Sequence, residues 1–175
     1  MAARPRRTLA ARAARVKLLV LDVDGVLTDG GLLYGPSGEE WKRFDVQDGL
    51  ALVEARRAGL ELAVISGRAS PAVTRRLAEL GVTEVHQAVS DKGAVLAATM
   101  SRLGVAAPEV AVMGDDFPDL APMRLAGLAL APGNAVAEVR RAADWVASRH
   151  GGAGAVREAV ELLLKARGAW PPSRS

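Results

Sequence analysis

The 175 residues contain no cysteine. That excludes a disulfide framework, a thiolate zinc site and a cysteine nucleophile. It fits a reducing compartment, and the cytoplasm is the expected location. Aromatic residues make up only 3% of the chain, so its core must be built from Ala, Val and Leu. No window approaches the ~20 consecutive apolar residues that span a membrane. A secretory leader is not expected either. The apolar run Val16-Lys17-Leu18-Leu19-Val20-Leu21 is short and leads into Asp22 and Asp24, without a small-residue cleavage site. No internal repeat is visible.

Half the residues are hydrophobic, which separates the chain from disordered sequences. Its length suits one domain with a sizeable core. The net charge of +3 is unevenly spread. Arg4, Arg6, Arg7, Arg12, Arg15 and Lys17 are cations in a stretch with no acid, and without them the balance is −3. The high isoelectric point therefore belongs to a basic N-terminal arm over 1–15, read as a solvated arm with a short helix. A nucleic-acid partner rests on that arm alone and is not expected.

The rest alternates apolar strands with helices. Strands are predicted at Leu18–Leu21, Leu60–Ile65, Glu84–Ala88, Val110–Met113, Leu128–Leu130 and Asp144–Val146. Asp48 is read as the cap of a helix ending at Gly59. Ser70 and Pro71 open the next helix, which Gly81 closes, and Asp91 opens the one running toward Gly104. Further helices are predicted over Pro118–Ala126, Ala135–Ala142 and Ala153–Arg167. Leu32-Leu33-Tyr34, Gly35-Pro36-Ser37-Gly38 and Trp41 to Val46 read as a β-hairpin flap. This pattern predicts an α/β fold with a Rossmann-like open parallel sheet. One domain spans 16–168, with a flap within 26–48 and a C-terminal tail over 169–175.

Ligands of such sheets bind beyond the carboxyl ends of the strands. Four polar sets fall there: Asp22 and Asp24, Ser66-Gly67-Arg68, Lys92, and Asp115-Asp116. Each alone has an ordinary structural reading as a turn, a cap or a surface charge. Together they describe a site. A carboxylate can serve as nucleophile, hard-metal ligand or proton shuttle. Four acids at one edge call for a cation, and magnesium takes oxygen ligands and bridges to phosphate. Lys92, the Ser66 hydroxyl and loop amides suit phosphate oxygens.

The segment Asp22-Val23-Asp24-Gly25-Val26-Leu27-Thr28-Asp29-Gly30 resembles the first motif of the haloacid dehalogenase superfamily. Ser66-Gly67-Arg68, Lys92 and Gly114-Asp115-Asp116-Phe117-Pro118-Asp119 resemble its second, third and fourth. The likeness covers residues 16 to 168. Phe44-Asp45-Val46-Gln47-Asp48-Gly49 and Gly151-Gly152-Ala153-Gly154-Ala155-Val156-Arg157-Glu158 are similar to segments of its capless branch, typified by 3-deoxy-D-manno-octulosonate 8-phosphate phosphatases. No long insertion separates the motifs, as in a capless form.

The resemblance implies a magnesium-dependent phosphomonoesterase acting on a sugar phosphate. In it Asp22 attacks phosphorus, and Asp24 protonates the leaving oxygen and then activates water. Magnesium is held by Asp22, Asp24 through its main-chain carbonyl, Asp115 and, in support, Asp116. Substrate and phosphate contacts are implied for Asp24, Ser66, Gly67, Arg68, Arg76 and Lys92, and for the flap segment Asp45, Val46, Gln47, Asp48 and Gly49. It also implies a homotetramer in which Tyr34 and Trp41 of the flap meet a neighbour. The chain departs from the branch at Gln47, Val53 and Ala153, where the pattern has arginine, the residue best shaped to clasp a sugar-acid carboxylate. Other phosphomonoesters therefore stay open as substrates: a nine-carbon sugar acid phosphate, a nucleotide or phosphoglycolate. So does a non-catalytic phosphate-binding or oligomerisation module.

Overall fold

A four-residue strand with no polar side chain is stable only where both its faces are covered, and this decides where the first strand sits. The computed structural model describes residues 8–171. The first seven residues of the predicted arm and the last four of the predicted tail lie outside the described residues. β1 (Leu18–Leu21) is fully buried and runs through the middle of the sheet. Leu19 and Leu21 point into one half of the core, Leu18 and Val20 into the other.

Six strands form the sheet in the order β5-β4-β1-β6-β7-β8, every neighbouring pair parallel. They are β1, β4 (Glu61–Ile65), β5 (Glu84–His86), β6 (Val110–Met113), β7 (Leu128–Ala131) and β8 (Trp145–Val146). The chain builds outward from β1 through β4 to β5, then crosses to β6 on the other side of β1. The switch point of the sheet therefore lies between the carboxyl ends of β1 and β6, where a ligand crevice is expected. The α/β, Rossmann-like expectation holds.

One face is covered by α1 (Leu9–Ala13), α2 (Val46–Arg57), α3 (Pro71–Glu79) and α7 (Ala155–Ala166), which contribute Ala13, Leu52, Leu77 and Leu163 to the same half of the core. The other is covered by α4 (Lys92–Leu103), α5 (Leu120–Leu125) and α6 (Ala137–Ala142), through Leu96, Met123 and Val139. Arg12 of α1 is not simply solvated. Its Nη1 and Nη2 bond Asp144, and its Nε and Nη2 bond the carbonyl of Gly127, so the helix is tied to the far side of the sheet.

Two local expectations change. The flap hairpin pairs only β2 (Leu33–Tyr34) with β3 (Glu40–Trp41), and Val46 already belongs to a helix. The helix cap is Asp45, not Asp48: Asp45 Oδ1 accepts from the N–H groups of Gln47 (2.7 Å) and Asp48 (3.0 Å). Asp45 stands one residue before the helix, where a carboxylate reaches the free N–H groups of the first turn. Asp48 is buried and caps a different helix. Its carboxylate accepts from the N–H groups of Gly154 (3.2 Å) and Arg157 (2.7 Å), at the start of α7. Ser70 precedes Pro71 of α3 as expected, but its hydroxyl makes no cap bond. No helix among the described residues is long and apolar enough to cross a membrane.

Candidate active site

The last hydrogen bond of the sheet fixes Asp22. Its N–H donates to the carbonyl of Met113 (3.1 Å), so the residue just past β1 is still held by β6. Its carboxylate is almost buried and stands 2.9 Å from Lys92 Nζ. Lys92 opens α4, whose cap is Asp91; Asp91 Oδ1 accepts from Ala94 N–H at 2.9 Å. The Lys92 ammonium is also 2.7 Å from Asp119 Oδ1. The other oxygen of Asp119 accepts from Asp115 N–H at 3.0 Å and so holds the loop after β6.

Oxygens of Asp22, Asp115 and Asp119 all lie within 4.8 Å of one another. Burial pushes Asp22 up to about 6 and Asp115 up to about 7, with neighbouring carboxylates adding to both. Burial works against the charge of Lys92, but Asp22 and Asp119 more than offset it and the net shift is upward. Asp115 Oδ1 is buried without a hydrogen-bond partner. Three acids facing one lysine, an unpartnered buried oxygen and an all-oxygen donor set fit a hard divalent cation. The close approach depends on Gly25, at φ +86°, where a Cβ would fall 2.0 Å from Asp115 Oδ2.

These groups open on a cleft of about 400 Å³ lined by Asp22, Asp24, Ser66, Arg68, Lys92 and Asp115, together with Gly67, Asp116 and Asp119. Ser66 is buried at the end of β4, and its Oγ accepts from Arg68 N–H at 3.3 Å. The cleft thus gathers residues from the loops after β1, β4 and β6 and from the start of α4. Asp116 lines it too, but spends Oδ1 on the N–H of Phe117 (2.7 Å) as the cap of the turn Phe117–Asp119. The third acid of the cluster is Asp119, which the reading of the motifs did not single out. Its place three residues after Asp116 on one short turn was the available signal.

The Asp24 carboxylate is paired with two cations. Lys42 Nζ lies 2.5 Å from its Oδ1 and Arg68 Nε 3.6 Å from its Oδ2. Lys42 was also missed; in the sequence it is one more cation on a loop.

The flap segment and Arg76 fall outside the cleft. Asp45 and Asp48 serve as caps. Val46 is exposed, and Gln47 accepts from Arg149 Nη1 at 3.4 Å. Gly49 lies under Arg76, whose guanidinium pairs with Glu79 at 3.4 Å. Of the three positions that depart from the capless pattern, Val53 packs half-buried against the core, while Gln47 and Ala153 are exposed.

The family model of haloacid dehalogenase-like hydrolases matches residues 78–159. The 3-deoxy-D-manno-octulosonate 8-phosphate phosphatase of Escherichia coli K12 is 41% identical over 158 residues, covering 90% of this chain and 84% of the relative. The chain belongs to that phosphatase family within the haloacid dehalogenase-like hydrolases. The family's enzyme from Haemophilus influenzae is 40% identical over 153 residues, covering 87% of this chain and 85% of its own. Among solved structures, the Moraxella catarrhalis phosphatase in complex with magnesium ion, phosphate ion and a KDO molecule superposes with a TM-score of 0.91 at 40% identity, covering 93% of both chains. The cobalt-bound form of the Haemophilus influenzae phosphatase matches with a TM-score of 0.88 at 38% identity, covering 91% of this chain and 95% of that one.

Proposed function

We propose that this chain hydrolyses 3-deoxy-D-manno-octulosonate 8-phosphate, with magnesium, through a phosphorylated Asp22. The observation that carries the reading is the pairing of a nearly buried Asp22 with Lys92 at the switch point, beside Asp115 and its unpartnered oxygen. The family's shared sequence supports the substrate.

In the first step Asp22 attacks phosphorus, and the ester bond to the sugar oxygen breaks as Asp24 gives that oxygen a proton. In the second, Asp24 takes a proton from water, the water oxygen bonds phosphorus, and Asp22 is released with inorganic phosphate. Lys92 and Ser66 hold the equatorial oxygens and spread their charge. Asp22, the main-chain carbonyl of Asp24 and Asp115 would hold magnesium, with Asp116 beside it; when bound, the ion neutralises the phosphoryl group and aligns it for in-line attack.

The first test is phosphate release from 3-deoxy-D-manno-octulosonate 8-phosphate with and without magnesium. Turnover that needs magnesium and is abolished in Asp22→Asn is expected. Full activity of that variant would defeat the reading. A second reading follows from Gln47, Val53 and Ala153, which leave Arg68 as the one arginine lining the cleft among the described residues. On that reading the preferred substrate is another small phosphomonoester. A panel including nine-carbon sugar acid phosphates, nucleotides and phosphoglycolate separates the two. We further propose a homotetramer working in the cytoplasm. Its support is a flap that leaves Leu33, Tyr34 and Trp41 more than half exposed.

A further inference from the structure

The flap does not rest loosely over the cleft. Four charged side chains close a ring beneath it. Lys42 Nζ is 2.5 Å from Asp24 Oδ1 and 3.3 Å from Glu40 Oε1. Glu40 Oε2 accepts from Arg68 Nη2 at 2.6 Å, and Arg68 Nε returns to Asp24 Oδ2 at 3.6 Å. Charges alternate around the ring. Glu40 and Lys42 flank Trp41 at the end of β3, so both point to one side of the hairpin. Arg68 follows β4 and Asp24 follows β1. The Lys42 side chain is 1% exposed although it sits on a hairpin whose apolar residues face solvent.

A lysine buried this deeply in an otherwise open hairpin has, among the described residues, the carboxylates of Asp24 and Glu40 to compensate its charge. Each carboxylate oxygen of Asp24 faces a cation, so rotation of the group is opposed on both sides. We infer that Lys42 is a positioning residue for Asp24: seating the flap and aiming the group that gives and takes the proton are one event. The inference rests on the proposed roles of Asp24. Arg68, 46% exposed on its outer edge, is the member of the ring open to an incoming substrate. Lys42 reaches the lining of the cleft through Asp24, and Glu40 reaches it through Lys42 and Arg68.

The test compares the full chain with Lys42→Met, Lys42→Arg and the charge-balanced double variant Glu40→Gln/Lys42→Met, which leaves no buried unpaired carboxylate at position 40. Turnover is measured on 3-deoxy-D-manno-octulosonate 8-phosphate with magnesium. Flap closure is measured without metal or substrate, as the rate of tryptic cleavage after Arg43. For Lys42→Met and the double variant, kcat falls about 10- to 100-fold while KM stays within about threefold. Lys42→Arg recovers part of the loss, and cleavage after Arg43 speeds up in Lys42→Met and in the double variant. An unchanged kcat, or a raised KM at constant kcat, overturns the inference. A wild-type chain that releases no phosphate would instead remove the proposed function, and an unchanged cleavage rate would then reject the latch on its own.

Discussion

Gly25 shows how much of the site depends on a missing side chain. At φ +86° the backbone occupies a region that costs other residues about 1–2 kcal/mol. The larger obstacle is Asp115, whose carboxylate fills the place of a Cβ. Gly25→Ala is expected to push Asp115 off the cluster. Phosphate release should then fall by at least about 100-fold, as for loss of a group that stabilises transition-state charge. Magnesium is expected to raise the melting temperature of the wild type and not that of the variant. A variant that keeps both would show that Asp115 is not held there by the glycine. Asp22, Asp24, Ser66, Lys92 and Asp115 were legible because each follows a strand or opens a helix at the same sheet edge. Asp119 and Lys42 were not, because their positions depend on how a short turn and a hairpin fold back.

At the scale of elements, α2 and α7 are joined through one buried carboxylate. Burial pushes Asp48 up to about 6 from the ordinary 3.8, against the two N–H bonds it accepts from α7. The folded chain therefore keeps a proton that the unfolded chain has lost between those values. The stability from this proton is complete below about pH 4 and is lost as pH rises through about 6. Asp48→Asn has no such titration. In urea unfolding, the stability of the wild type relative to this variant should drop by up to about 3 kcal/mol between pH 4 and pH 7. A difference that stays constant with pH would mean that Asp48 ionises normally. Sequence placed a cap near this helix but chose the wrong aspartate. Asp45 and Asp48 are both good cap residues, and what separates them is the arrival of α7, more than a hundred residues later.

The parallel sheet was readable across the whole chain because apolar runs alternate with helix starts and stops at short spacing. What escaped is long-range. Arg12 reaches Asp144 and Gly127, and Gly151 and Gly152 press on the loop after β1, where a Cβ on Gly151 would come 1.9 Å from the Gly25 carbonyl. Neither contact leaves a local pattern. Assembly belongs to the same scale. Leu33, Tyr34, Trp41 and Val46 are exposed on or beside the flap, more apolar surface in one place than scattered exposure explains. Light scattering on the purified chain is expected to give the mass of four copies, and Trp41→Asp to give smaller species. A wild-type monomer would reject the tetramer.

Asp22 remains locked into the hydrogen bonds of the central sheet, whereas Lys42 hangs on a hairpin whose two strands are each two residues long. On the proposed reading, attack at phosphorus and the aim of the proton thus rest on parts held very differently, one by the sheet and one by ion pairs. Descent with modification can exchange the hairpin's outer residues while the carboxylate proposed to attack stays fixed in its frame.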